Sequence, residues 1–72
     1  MATLDNNKES AITLKEKGNK LFREKKWQEA YQMYSRAIEL DDANVIYYTN
    51  RAATLMEMKR FLMDPLPLLA LR

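Results

Sequence analysis

Apolar and small residues recur along the chain with the spacing of helical stripes. A first stripe, at i, i+3, i+7, i+10 and i+11, comprises Ala11, Leu14, Gly18, Leu21 and Phe22. A second stripe comprises Trp27, Ala30, Tyr31, Tyr34, Ala37 and Ile38. Because these spacings place each set on one face of an α-helix, they predict two amphipathic helices, over residues 8–24 and 27–40.

The first stripe returns 34 residues later, as Val45, Tyr48, Ala52, Leu55 and Met56. This repeat predicts a third helix over residues 45–59, with Asn44 as its N-cap. Helical hairpins that recur at this period build an α-solenoid. The fold prediction is therefore all-α: about one and a half antiparallel helix–turn–helix repeats, with the first and third helices nearly parallel and the second antiparallel between them.

The stripes also predict which side chains are buried. We expect the most buried positions to include Trp27, Tyr34, Leu21, Leu14, Ala30 and Leu55. The outer face of the third helix has no following repeat helix to cover it. Unless the tail folds back over that face, three of its side chains should stay uncovered: Tyr48, Leu55 and Met58.

The repeat divides the chain into four segments. Residues 1–10 are a lead-in, 11–44 the first repeat, 45–61 the first helix of an incomplete second repeat, and 62–72 a tail rich in Pro and Leu. Pro65 in the tail lacks a backbone N–H and clashes with the preceding helical turn, as does Pro67. The tail therefore cannot continue the repeat in register, which is typical of a repeat domain joined to an unrelated ending.

Composition excludes several classes of chemistry. The 72 residues contain no Cys, no His and one Gly, and the net charge is +2. Disulfides, Cys/His zinc sites and thiolate or imidazole catalysis are excluded, so we expect neither an enzyme nor a cofactor. The near-balanced charge argues against a nucleic-acid partner. No signal peptide or membrane span is indicated, so we expect a cytoplasmic protein without membrane association.

Polar residues lie beside the apolar stripe of the first helix. Lys15 and Asn19 are four residues apart and so share one helix face, and Asn50 lies on the third helix. An ammonium and two amides suit a carboxylate, especially the C-terminus of a peptide. Residues 8–26 hold seven basic and three acidic side chains, whereas residues 29–42 have a net charge of −3. The first helix should therefore attract an acidic ligand.

The repeat residues resemble the tetratricopeptide repeat (TPR) family. The resemblance rests on Leu14-Lys-Glu-Lys-Gly-Asn-Lys-Leu-Phe22, followed by Trp27, Ala30, Tyr34, Ala37 and Ile-Glu-Leu-Asp41. Asp42 stands where the family usually has proline. Leu-Lys-Glu-Lys-Gly-Asn and Tyr-Tyr-Thr-Asn-Arg are similar to the carboxylate clamp of co-chaperones, including TPR members of the J-domain type. These co-chaperones bind the acidic C-terminal tails of Hsp70 and Hsp90.

The resemblance implies a binding site. Three clamp residues correspond by position to Lys15, Asn19 and Asn50, and flanking contacts are expected from Phe22, Arg23 and Ala53. The closing Lys and Arg of the clamp come from a third A helix that the 72 residues do not contain, so weak binding is expected. Preference for Hsp70 or Hsp90 stays open. So do two alternatives: a truncated isoform or fragment without peptide binding, and a monomer that pairs with another protein, or weakly with itself, through exposed repeat edges.

Overall fold

Three helices joined by two short turns form the part of the chain that the structure describes. The structure is a computed structural model, and it describes the backbone of residues 3–63 and the side chains of residues 9–60. The helices are α1 (Thr3–Arg23), α2 (Trp27–Leu40) and α3 (Val45–Met63). Residues 3–63 contain no strand, and the all-α prediction is confirmed. Nearly all of the predicted tail lies outside the described residues.

The helices follow the direction that the repeat predicts. α2 packs against both α1 and α3. Gly18 of α1 lies against Tyr34 of α2, and Arg51 of α3 is hydrogen-bonded to Ser35 of α2. In both pairs the two residues lie at similar distances along the chain from the turn that joins their helices, so each pair of helices is antiparallel. α1 and α3 therefore run in the same direction.

The bounds of α1 and α3 differ from the predictions, whereas α2 spans the predicted residues 27–40. α1 begins at Thr3, inside the predicted lead-in, because no Gly or Pro interrupts the chain before Gly18. α3 continues beyond residue 59 to Met63. Met63 is also the last residue whose backbone the structure describes.

A Schellman-type ending turns the chain between α1 and α2. The N–H of Lys26 donates to the Leu21 carbonyl oxygen, and the N–H of Lys25 donates to the Phe22 carbonyl oxygen, both at 2.9 Å. This pair of bonds places Lys25 in the left-handed region, with φ of 64°. Glycine is usual at such a position because a Cβ atom is unfavourable there. Lys26 then becomes the N-cap of α2 without a side-chain hydrogen bond.

The turn before α3 is capped as predicted. The Asn44 Oδ1 atom accepts a hydrogen bond from the N–H of Ile46 at 2.9 Å. The N–H of Asp41 donates to the Ala37 carbonyl oxygen at 2.9 Å and closes the last turn of α2. The predicted role of Asn44 as an N-cap is therefore confirmed, and the cap fixes where α3 starts.

The core lies where α2 meets the other two helices. Helices α1 and α2 bury the side chains of Ala11, Leu14, Ala30, Tyr34 and Ala37. α3 adds Tyr47 and Thr54, which are 1% and 0% exposed. The predicted burial of Leu14, Ala30 and Tyr34 is confirmed. Small residues dominate this core, so the helix backbones approach one another closely.

The prediction of burial was wrong for Leu21, Trp27 and Leu55. Leu21 and Trp27 are half-buried near the turn that closes the first hairpin, where the Trp27 ring packs edge-on against Phe22 with 4.9 Å between centroids. Leu55 is 47% exposed. α3 turns Tyr47 and Thr54 toward α2, so the repeated stripe containing Leu55 points the other way.

The stripe of α3 that repeats the apolar stripe of α1 is therefore an open surface. It exposes Val45, Tyr48, Ala52, Leu55 and Met56. The prediction that Tyr48 and Leu55 stay uncovered is confirmed among the described residues, whereas Met58 is half-buried. We call these five residues the open α3 face.

Candidate functional site

Two of the three predicted site residues lie in contact at the junction of the three helices. Asn19 of α1 and Asn50 of α3 are both half-buried, and the Asn50 Nδ2 atom donates a hydrogen bond to Asn19 Oδ1 at 3.4 Å. The hydroxyl of Tyr34, on α2, donates to the same oxygen at 2.5 Å. One side-chain oxygen of α1 thus accepts hydrogen bonds from both other helices.

These two hydrogen bonds orient the Asn19 amide. A carbonyl oxygen has two lone pairs, and Tyr34 and Asn50 use both. The Asn19 Nδ2 group has no hydrogen-bond partner among the side chains of residues 9–60. Asn19 can therefore only donate to a ligand, and an amide that only donates suits an acceptor such as a carboxylate.

Lys15, the third predicted site residue, lies one helical turn before Asn19. Its side chain is half-buried, and positions four apart on a helix have Cβ atoms about 5–6 Å apart. Within residues 9–60 the ion pairs are Lys26–Glu24 and Arg60–Glu57, so no described carboxylate neutralises Lys15. Its ammonium is available to a ligand that also reaches Asn19.

The predicted flanking residues occupy different surroundings. Burial raises the pKa of the Tyr34 hydroxyl, and the nearby positive charge of Arg23 partly opposes that rise. Arg23 therefore adds positive charge near the Asn19 oxygen. Phe22 packs against Trp27 instead, and Ala53 is half-buried on α3, three residues after Asn50.

A second polar cluster holds α3 against α2. The Arg51 Nη1 atom donates to Ser35 Oγ at 3.2 Å, and the guanidinium carbon lies 5.5 Å and 5.9 Å from the ring centroids of Tyr31 and Tyr48. Cation–π contacts of this kind contribute about 0.5–1 kcal/mol at exposed sites. Because Arg51 directly follows Asn50, this cluster helps to hold Asn50 opposite Asn19.

Sequence reasoning missed the Tyr34 hydroxyl and the Arg51 cluster. The spacing of the second stripe predicts only that Tyr34 is a core residue, and its ring is buried. One signal was present: a buried tyrosine usually finds a hydrogen-bond partner for its hydroxyl. No comparable signal identified the Arg51 cluster, because its members lie on two helices whose facing sides do not follow from the repeat.

Known proteins match the chain over its repeat region. A family model described as TPR repeat matches residues 18–59, more than half of the chain. Outer envelope protein 64, chloroplastic, from Arabidopsis thaliana is 56% identical over 54 residues, which cover 75% of this chain and 9% of that protein. DnaJ homolog subfamily C member 7 from Homo sapiens is 48% identical over 54 residues, covering 75% and 11%. The Hsp70-Hsp90 organizing protein from Triticum aestivum is 43% identical over 52 residues, covering 72% and 9%.

The similarity concerns a small part of each relative. The chain spans about a tenth of the length of these curated relatives. No solved structure gives a significant match. Among the described helices, none combines the length and the apolar character needed to cross a membrane. The matched region runs from Gly18 through α2 into α3 and includes Asn19, Tyr34 and Asn50. With its hairpin, its period of 34 residues and this match, the chain belongs to the TPR repeat family.

Proposed function

We propose that this chain binds the acidic C-terminal tails of Hsp70- or Hsp90-type chaperones through an incomplete carboxylate clamp. Its family makes the chain a protein–protein interaction module, because stacked helical repeats form extended binding surfaces. Relatives named as a DnaJ homolog and as an Hsp70-Hsp90 organizing protein support a chaperone partner. The cytoplasmic location stays a prediction, since another relative is named as a chloroplast envelope protein.

The observation that carries this proposal is the contact between Asn19 and Asn50. It brings two amides from different helices together, and Asn19 offers its NH2 group to a ligand. Lys15 lies one turn away on the same helix without a described counter-ion. A carboxylate can accept hydrogen bonds from an ammonium and an amide at once, and such charge-assisted bonds are the stronger kind.

We expect this chain to bind an acidic C-terminal tail weakly. The resemblance implies a clamp of five polar side chains, of which the chain supplies Lys15, Asn19 and Asn50. A hydrogen bond to a charged group contributes about 1.5–3 kcal/mol. The absence of two such bonds lowers the binding free energy by about 3–6 kcal/mol, which takes a micromolar clamp to the millimolar range or beyond.

The test is a titration of the ¹⁵N-labelled chain, followed by NMR, with a peptide ending in Glu-Glu-Val-Asp. The free-acid peptide should shift the signals of Lys15, Asn19 and Asn50 with a Kd near the millimolar range, and its C-terminal amide should bind more weakly. Lys15→Ala should lower the affinity for the free acid by about tenfold, since it removes one charge-assisted bond. Lys17→Ala removes the same charge from an exposed site on the same helix and is the matched control.

Three outcomes contradict the proposal. Equal affinity for the free acid and the amide indicates a surface other than the clamp. Equal losses of affinity for the free-acid peptide in Lys15→Ala and Lys17→Ala indicate general electrostatic attraction to the basic helix rather than binding at a defined site. Absence of binding by a chain with the circular dichroism of three helices favours the alternative of a fragment without peptide binding.

A second candidate function is pairing through the open α3 face. Val45 and Met56 are 66% and 65% exposed, and Leu55 is 47% exposed. An apolar stripe of this kind on a repeat helix ordinarily packs against the next helix of the array. Sedimentation equilibrium of the same sample separates the two functions: a concentration-dependent mass that Leu55→Lys abolishes supports pairing between two copies.

A further inference from the structure

Tyr34 has a role beyond packing in the core. We infer that its hydroxyl fixes the orientation of the Asn19 amide and thereby makes the site prefer a free carboxylate over an uncharged C-terminal amide. Tyr34 is thus a positioning residue that acts through Asn19 without touching the ligand. This role rests on the proposed function, and it makes Tyr34 the residue that determines the selectivity of the site for a free carboxylate.

The two amides alone do not determine how Asn19 is presented. A flip of an asparagine side chain exchanges its acceptor oxygen and its donor NH2 group. If Asn19 and Asn50 both flipped, Asn19 would donate to Asn50 and the pair would keep one hydrogen bond. In that arrangement Asn19 would turn its oxygen toward the ligand and repel a carboxylate.

Tyr34 removes this ambiguity. Its side chain is 2% exposed and its ring lies against Gly18, so the hydroxyl cannot swing away from α1. The pKa of a tyrosine hydroxyl is ordinarily about 10 and burial raises that of Tyr34, so the hydroxyl keeps its proton at neutral pH. Its hydrogen bond among the described residues is to Asn19 Oδ1, and a flipped Asn19 would leave that proton unpaired. An unpaired donor at a buried position disfavours the flipped form by about tenfold or more.

Selectivity follows from the fixed orientation. With its oxygen held by Tyr34 and Asn50, Asn19 presents only donors, and Lys15 also presents only donors. A carboxylate offers two acceptor oxygens and satisfies both residues. A C-terminal amide offers one oxygen, and its NH2 group would face the NH2 group of Asn19 or the ammonium of Lys15. Without the Tyr34 hydroxyl, Asn19 could flip to accept that NH2 group.

The test compares Tyr34→Phe with the unmodified chain. This change removes the hydroxyl and keeps the ring that packs against Gly18. The measured quantity is the Kd for the amidated peptide divided by the Kd for the free-acid peptide, from NMR titrations. We expect Tyr34→Phe to lower this ratio about fivefold to tenfold. Tyr48→Phe is the matched control, because it removes a hydroxyl that donates to the Asp42 carbonyl oxygen at 2.9 Å, outside the site. That control should leave the ratio unchanged.

A second readout needs no ligand. In the unmodified chain, nuclear Overhauser effects between the NH2 protons of Asn19 and the ring protons of Tyr34 should be weak, since the oxygen end faces the hydroxyl. In the Tyr34→Phe variant, the Overhauser effects between the Asn19 NH2 protons and the ring protons at position 34 should be stronger. This measurement on the unmodified chain decides the orientation even if Tyr34→Phe lowers the helix content.

The outcomes distinguish this inference from the proposed function. A chain that binds neither peptide contradicts the proposed function, and the Overhauser effects still report the orientation of Asn19. Selective binding by the unmodified chain, with an unchanged ratio in a folded Tyr34→Phe variant, contradicts only the role of Tyr34. Strong Overhauser effects in the unmodified chain would overturn the inference whatever the peptides do.

Discussion

Replacing Gly18 with alanine tests the close approach between α1 and α2. A Cβ atom at Gly18 would lie 2.6 Å from Tyr34 Cε1 and 2.9 Å from both Cδ1 and Cζ. Ordinary contacts between carbon atoms are about 3.5–4.0 Å. The ring cannot rotate aside without breaking the hydrogen bond to Asn19, because its side chain is 2% exposed and its hydroxyl is held there. The two helices must therefore move apart.

Opposing effects determine how much Gly18→Ala changes the free energy of unfolding. Alanine is favoured over glycine inside a helix by about 0.5–1 kcal/mol. Overpacking of a well-packed contact costs about 1–3 kcal/mol. Displacing Tyr34 also weakens its hydrogen bond to Asn19, which is worth about 0.5–1.5 kcal/mol. The packing and hydrogen-bond costs exceed the propensity gain, so we expect Gly18→Ala to lower the free energy of unfolding by about 1–3 kcal/mol.

The assay is urea unfolding followed by circular dichroism at 222 nm. An osmolyte such as trimethylamine N-oxide extends the folded baseline, which matters for a chain of this size. The control is Ala52→Gly at the equivalent position of the repeat, where the side chain is exposed on α3. That substitution should cost about 1 kcal/mol from helix propensity alone. A Gly18→Ala chain that is more stable than the original would refute the close packing of Tyr34 on α1.

Two further predictions concern the turn and the buried tyrosines. Lys25→Gly should stabilise the chain by about 1 kcal/mol, seen as a higher urea midpoint, because Lys25 has φ of 64° and glycine adopts that angle without a Cβ penalty. Burial raises the pKa of Tyr34 and the pKa of Tyr47. At Tyr47 the negative charge of Asp41 adds to the rise, and the nearby Asn44 side chain opposes it. The Tyr47 hydroxyl has no hydrogen bond among the described residues. A tyrosine pKa above its unfolded value of about 10 makes the folded chain hold the proton more tightly, so this contribution to stability is present below pH 10 and lost as the pH rises through the folded pKa. Tyr31 and Tyr48 also absorb at 295 nm, so the measurement uses a chain with Tyr31→Phe and Tyr48→Phe. In that chain, ionisation at 295 nm should coincide with loss of helix at 222 nm, and full ionisation with retained helix would contradict the burial of both rings.

The sequence predicted the features that the 34-residue period repeats. The span of α2, the N-cap at Asn44 and the burial of Leu14 and Tyr34 all followed from periodicity and capping. The face of α3 that packs on α2 could not be found in this way. It carries Tyr47 and Thr54, whereas the residues 34 positions earlier on α1 are polar and exposed. Comparing the two copies therefore revealed only the face that both helices share.

The candidate site was predictable in its residue types but not in its connections. The spacing of Lys15 and Asn19 follows from helix geometry, and Asn50 was predicted from its place on the third helix. The resemblance to the co-chaperone clamp then matched all three residues. The direction in which the Asn19 amide points depends on a hydroxyl 15 residues away on another helix. Spacing along one helix carries no information about such a bond, so the donor character of Asn19 emerged only from the packed structure.

The double use of Tyr34 links ligand binding to folding. The same side chain fills the interface between α1 and α2 and holds the amide of the site, so a locally unfolded chain has no oriented Asn19. A ligand that binds only the packed state stabilises it by mass action, by about 1.4 kcal/mol when its free concentration is ten times Kd. For a chain of marginal stability that increment is a large share of the total. If the proposed function holds, occupancy of the clamp and the population of the folded hairpin rise together, and the acidic tail assists the folding of the chain that binds it.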